Sequence, residues 1–183
     1  MTETDVDEHG RPKPPHHGGE AATLLGFLDY QRATFEWRCR GLTDDQLHAH
    51  LAPTEMTLAG MLKHLALVED SWFTDAVGAQ PMPEPWVGVD WEADYHWDWH
   101  SASEDTGEDL RALWSQALDR SRTVLAQHLK ADVSDPLAQS YPAWGGRDTV
   151  SLRWVLTHMI EEYGRHNGHA DLLREAIDGE TGE

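Results

Sequence analysis

One cysteine, Cys39, is all that this chain of 183 residues contains. That excludes an internal disulfide framework and suits a reducing cytoplasm. Long apolar runs are also missing, and the first residues are acidic rather than cationic. Neither a membrane span nor a signal peptide fits such a pattern. Basic side chains are scarce: 14 Lys and Arg stand against 33 Asp and Glu, a formal charge of −19. A surface this acidic repels phosphate backbones, and the densest basic group, Arg32 with Arg38 and Arg40, is too small to reverse it. No internal repeat and no persistently alternating strand is visible. The expectation is a cytoplasmic protein without nucleic-acid or membrane partners.

What is present is helical periodicity. Residues 1–19 are rich in charge, Pro, Gly and His without an apolar period, and are read as a flexible tail, extended where ordered. His16 and His17 within it are read as solvent-exposed. Residues 20–40 form a first amphipathic segment through Leu24, Leu25, Leu28 and Phe35, broken at Gly41. Thr43 or Asp44 can cap a short turn before Pro53. Thr57 opens a second segment to about Val77, with Leu58, Met61, Leu62, Leu65, Val68 and Trp72 on its core side. Ser103 or Glu104 begins a third, to about Lys130, with Leu110, Leu113, Trp114, Leu118, Leu125 and Leu129. The fourth runs from Ser151 to Ile177. Four long helices and two long connections make an all-α four-helix bundle the natural architecture, over residues 20–179, with 180–183 as a short C-terminal tail.

Between Gly78 and Asp105 the helical pattern dissolves. Trp86, Trp91, Tyr95, Trp97 and Trp99 alternate there with Asp90, Asp94, Asp98 and His96. Aromatics interleaved with carboxylates do not make a nucleic-acid stacking platform, which needs basic partners. The plain reading is a cover over one end of the core; the alternative is the wall of a ligand pocket.

The fourth segment carries the chemistry. Leu152, Val155, Leu156, Met159, Leu173 and Ile177 line one stripe, and Glu162 and His166 fall inside it, with His158 and His169 on its flank. A carboxylate on a buried face is costly unless it is paired, neutralised or bound to a cation. Glu162 could pair with Arg165 or Arg153. Alternatively, Glu162 and His166, four apart on one face, could converge on a metal ion with His64 of the second segment as a third ligand. Two imidazoles and a carboxylate suit zinc, and also nickel, manganese or ferrous iron, with a coordination position left open. The His-Glu-x-x-His signature of zincins is absent. Cys39 has no base paired to it by any sequence feature and is read as packing.

Two stretches resemble a known family. Leu58-Ala-Gly-Met-Leu-Lys-His64-Leu-Ala-Leu-Val-Glu69 and Trp154-Val-Leu-Thr-His-Met-Ile-Glu-Glu-Tyr-Gly-Arg-His-Asn-Gly-His-Ala-Asp-Leu-Leu-Arg-Glu-Ala-Ile-Asp-Gly179 are similar to the DinB-like superfamily, in its DUF664 branch. The likeness runs from about Gly10 to Gly179. It implies an up-up-down-down four-helix bundle with a metal held by one residue of the second helix and two of the fourth. The usual triad there is three histidines, the last pair spaced His-x-x-x-His ahead of a Gly. His166-Asn-Gly168 matches the end of that pattern, so Glu162 takes the first position of the pair. That substitution resembles the mycothiol-dependent maleylpyruvate isomerases, whose zinc is similar in having two histidines and a glutamate. The ligand set implied is His64, Glu162 and His166; His158 falls a turn too early and His169 a turn too late.

Members of this superfamily with known activity are low-molecular-weight-thiol transferases using bacillithiol, mycothiol or glutathione. The resemblance therefore implies a metal-dependent S-transferase that joins a thiol, mycothiol by preference, to a small electrophile. A non-catalytic metal-binding stress protein and a metal-dependent hydrolase are the alternatives. The isomerases carry an additional C-terminal domain, so isomerisation of maleylpyruvate is not expected. Related bundles pair, which makes a homodimer a compatible assembly.

Overall fold

The computed structural model describes residues 5–130 and 133–182. It is all-α, with one two-stranded hairpin as its only sheet among the described residues. These residues divide into two compact units.

One unit comprises the described residues up to Leu42 together with those from Arg153 onward. Its helices are α1 (Glu20–Cys39) and the body of α6 (Leu152–Asp178). Partners advance in step along both helices: Arg153 bonds Glu20, Asn167 bonds Gln31, and Arg38 pairs with Asp171. The two helices therefore run parallel. Phe35 and Tyr163, both fully buried, meet edge to face at the centre of this contact. Arg174 closes the far end by donating to the Arg38 and Arg40 carbonyls, satisfying acceptors that the end of α1 would otherwise leave open.

The segment read as a tail carries an anchor. Asp7 and Arg11 close a turn, and the Arg11 guanidinium lies 4.7 Å from the ring centres of both Tyr30 and Trp37. Arg11 is only 7 % exposed as a result. His16 and His17 are exposed, as expected.

The other unit is Thr43–Leu152. Thr43 caps α2 (Asp44–Leu47) in a reciprocal capping box with Gln46. Thr57 caps α3 (Leu58–Glu69) by accepting from the Gly60 amide at 2.9 Å. Beyond Glu69 the helix loosens into a π-helical stretch, Asp70–Val77, and the Gly78 amide reaches back five residues to the Phe73 carbonyl. The long connection then contains α4 (Trp97–Ser101) and a 3₁₀ turn, Ala102–Glu104. Next comes α5 (Gly107–Leu129), capped by Thr106 rather than by Ser103 or Glu104, because Asp105 is extended and interrupts the helix.

Here too the long helices are parallel. Lys63 pairs with Asp105, Asp70 with Arg120, and Gly78 lies against Val124. An up-up-down-down order requires the second and third long helices to be antiparallel, so that part of the expectation is corrected. The physical reason is the connection from Gly78 to Asp105, which is long enough to return the chain to the end where α3 began. The hairpin β1 (Ser140–Ala143) and β2 (Asp148–Ser151) was not foreseen, since four residues per strand show no persistent alternation. Its turn, Trp144-Gly-Gly-Arg147, has positive φ at Trp144, Gly145 and Gly146, which two glycines make affordable.

Candidate metal centre

On α6, positions 155, 156, 159, 162, 163 and 166 share the buried face. Leu156, Met159 and Tyr163 are fully buried, and their packing fixes the helix rotation that turns Glu162 and His166 inward. Glu162 is 9 % exposed and His166 6 %. Their side chains meet, with Glu162 Oε1 3.2 Å from His166 Nε2. Each of the two arginines near Glu162 in sequence has another carboxylate as a partner. Arg165 pairs with the exposed Glu161, and Arg153 makes a two-pronged contact with Glu20. A carboxylate and an imidazole thus face each other on one helix turn, a donor pair suited to a divalent cation.

The flanking histidines have different surroundings. His158 stacks on Trp154 at 5.0 Å and lies 3.7 Å from Glu161. His169 sits 5.9 Å, ring to ring, from His166. Burial holds its pKa below the usual histidine range, assisted by the neighbouring His166 and Arg165.

His64 projects from α3 toward α4. Its Nδ1 lies 2.7 Å from Asp98 Oδ2, and its ring stacks on Trp99 with centroids 4.8 Å apart. Asp98 is 3 % exposed. A carboxylate accepting from Nδ1–H leaves Nε2 as the nitrogen that carries the lone pair, the arrangement typical of histidines that bind metal. Two neighbours that orient His64 therefore come from the aromatic segment, and sequence spacing had singled out neither for this role. The available signal was the alternation of Asp and Trp from Asp90 to Trp99, which placed carboxylates beside rings without saying which would turn inward.

The same segment roofs a pocket of about 450 Å³. His64, Leu67, Ser71 and Asp75, spaced along one face of α3 and the π-helical stretch, form its floor; Trp86, Trp91, Tyr95 and Trp99 form its walls. Trp86 is held by its indole N–H, which donates to Asp70 at 2.9 Å. Asp70 is fully buried and also receives both prongs of Arg120 and the Thr74 hydroxyl. A buried carboxylate so fully bonded acts as a rigid post for the wall. Cys39 is buried at the end of α1 and forms no disulfide, in agreement with a packing role. No helix is long and apolar enough to cross a membrane among the described residues.

Comparison with curated proteins gives no match. A family model described as mycothiol-S-transferase, by contrast, matches residues 23–179, a span that includes the Glu162 and His166 pair, His64 with its carboxylate, and the aromatic pocket. The chain belongs to the mycothiol-S-transferase family.

Proposed function

We propose that the chain is a metal-dependent S-transferase joining mycothiol to a small electrophile, with His64, Glu162 and His166 as the ligands of one divalent ion. The observation that carries this reading is the family match over residues 23–179. The donor set supports it: two imidazoles and one carboxylate, the last buried beside His166. Zinc suits that set best, with nickel, manganese or iron as alternatives. When bound, the ion supplies a positive charge that favours the thiolate over the thiol at neutral pH.

The chain's own residues do the remaining work. Glu162 and His166 are prepositioned by the packed face of α6, and Asp98 with Trp99 fixes the ring of His64. The aromatic pocket beside His64 holds the electrophile and excludes water from the reacting atoms. The thiol sulfur forms a bond to the electrophilic carbon, the thiol proton passes to solvent, and the leaving group departs with its bonding electron pair. No separate protein base is needed in this scheme.

The test is consumption of monochlorobimane by metal-reconstituted protein with and without mycothiol, following S-conjugate and released chloride together. Mycothiol-dependent formation of both in equal amounts is expected. Thiol-independent cleavage of ester or amide substrates would instead favour a hydrolase, and tight metal binding without either activity would leave a non-catalytic metal-binding protein.

A further inference from the structure

The pocket that runs along α3 is unusual in its charge. Three tryptophans and Tyr95 wall it, Asp75 and Asp98 are the carboxylates that reach it, and no lysine or arginine lines it among the described residues. Asp98 is committed to His64. The Asp75 side chain has no hydrogen-bond or ion-pair partner among the described residues, and the residue is exposed. A second pocket of similar size shares Ser71 and Asp75 and is bounded by Trp72 and Trp144. Asp75 thus stands between two aromatic chambers. Aromatic faces carry negative potential, and with a carboxylate and with His64 and His96 as the only basic side chains of the lining they form an environment that recognises an ammonium group on an apolar body. The formal charge of −19 draws cations toward the same surface.

We propose that this pocket binds an aromatic organic cation, its ammonium at Asp75 and its apolar body against Trp86, Trp91 and Trp99. His64 and Asp75 lie at opposite ends of the floor, eleven residues apart, or roughly 16 Å at the helical rise. A ligand with its cationic centre at Asp75 therefore places its far end beside His64. This names the class of electrophile for the transferase reading and rests on that reading only for the reaction at the His64 end; cation binding itself needs neither thiol nor metal.

The experiment measures binding of 4-phenylbutyltrimethylammonium, 4-phenylbutanol and 4-phenylbutyrate by calorimetry at physiological salt, where diffuse surface attraction is screened. The proteins compared are wild type, Asp75→Asn, a surface-charge control Glu108→Gln, and His166→Ala. The cation is expected to bind about tenfold tighter than the alcohol, with the carboxylate weakest. Asp75→Asn should remove that preference and leave alcohol binding unchanged, whereas Glu108→Gln should keep it. Equal binding of cation and alcohol by wild type overturns the proposal and makes the pocket a neutral apolar site; a preference that survives in Asp75→Asn overturns it in favour of general surface charge. Since His166→Ala removes a proposed metal ligand, retention of the cation preference there, alongside loss of conjugation, separates failure of the transferase reading from failure of this one.

Discussion

The two groups of side chains proposed to serve the metal are built in opposite ways. Glu162 and His166 lie one turn apart on a single helix, and their orientation follows from the rotation that buries Leu156, Met159 and Tyr163. His64 is oriented by Asp98 and Trp99, and the chain returns to it only after 34 residues, through a segment with little regular structure. The first group is fixed by local geometry; the second depends on a long connection folding correctly. Ligand geometry at His64 should therefore be the more sensitive to distant changes, while the α6 pair should respond only to its own side chains.

Direct removal of ligands should have the largest effect. Glu162→Gln, His166→Ala or His64→Ala should each weaken divalent-metal affinity by more than roughly 100-fold, beyond the range usual for outer partners. His158→Ala should leave it unchanged, its ring being engaged with Trp154 and Glu161. Metal content after equilibrium dialysis reads both outcomes, and equal loss in His158→Ala would mean that the wrong face of α6 has been assigned.

Asp98→Asn sharpens the comparison from the other side. It keeps the shape of the carboxylate but weakens the bond that fixes the tautomer of His64, so metal affinity should fall by about 10- to 100-fold. The helical circular dichroism should not change. A competing-chelator titration measures this; an unaltered affinity would show that His64 is held adequately by stacking on Trp99 alone.

Gly60→Ala tests the same support without touching any polar group. A Cβ there would stand 2.7 Å from the Trp99 ring and 3.2 Å from Thr57 Oγ1, so the indole must move. Overpacking of this kind costs typically 1–3 kcal/mol, partly offset by the roughly 1 kcal/mol that Ala gains over Gly inside a helix. A net loss of up to about 2 kcal/mol in urea unfolding is expected, with a shift in tryptophan emission and weaker metal binding. An Ala variant as stable as the parent would mean that the aromatic segment adapts freely, and the contrast between the two groups would lose its basis.

Much of this was legible in the sequence because it is local. The spacing of apolar residues located the four long helices within a few residues of their ends, and the position of Glu162 inside an apolar stripe marked the α6 pair. What stayed hidden was set by contacts between distant residues. The parallel direction of α3 and α5 depends on where a long connection ends, and periodicity is blind to that. The hairpin has strands too short for an alternating pattern, and the choice of Asp98 among several similar carboxylates depends on which one faces His64.

The turn near the start of the chain qualifies that division, because it is local and was still missed. Asp7 and Arg11 are four residues apart, but Gly10 between them and Pro12 just beyond break any helical pattern, so the pairing carried no periodic signal. Burial pushes the Asp7 carboxyl up, yet hydrogen bonds from the Arg11 amide and guanidinium and the His9 amide outweigh it and hold the pKa at about 2, below its ordinary 3.8. A carboxyl lowered in the folded state stabilises the turn fully above its ordinary pKa, and that contribution is lost as the pH falls from 3.8 through about 2. The effect should be the smallest of the four and confined to this turn. NMR resonances of Arg11, Tyr30 and Trp37 should move together over that interval, while Asp7→Asn should remove the transition and leave the α6 resonances unaffected. Movement of the Tyr163 resonances over the same interval in the parent would mean that the turn and the α1–α6 contact open as one, so that local pairing near the chain start controls the packed face on which Glu162 and His166 depend.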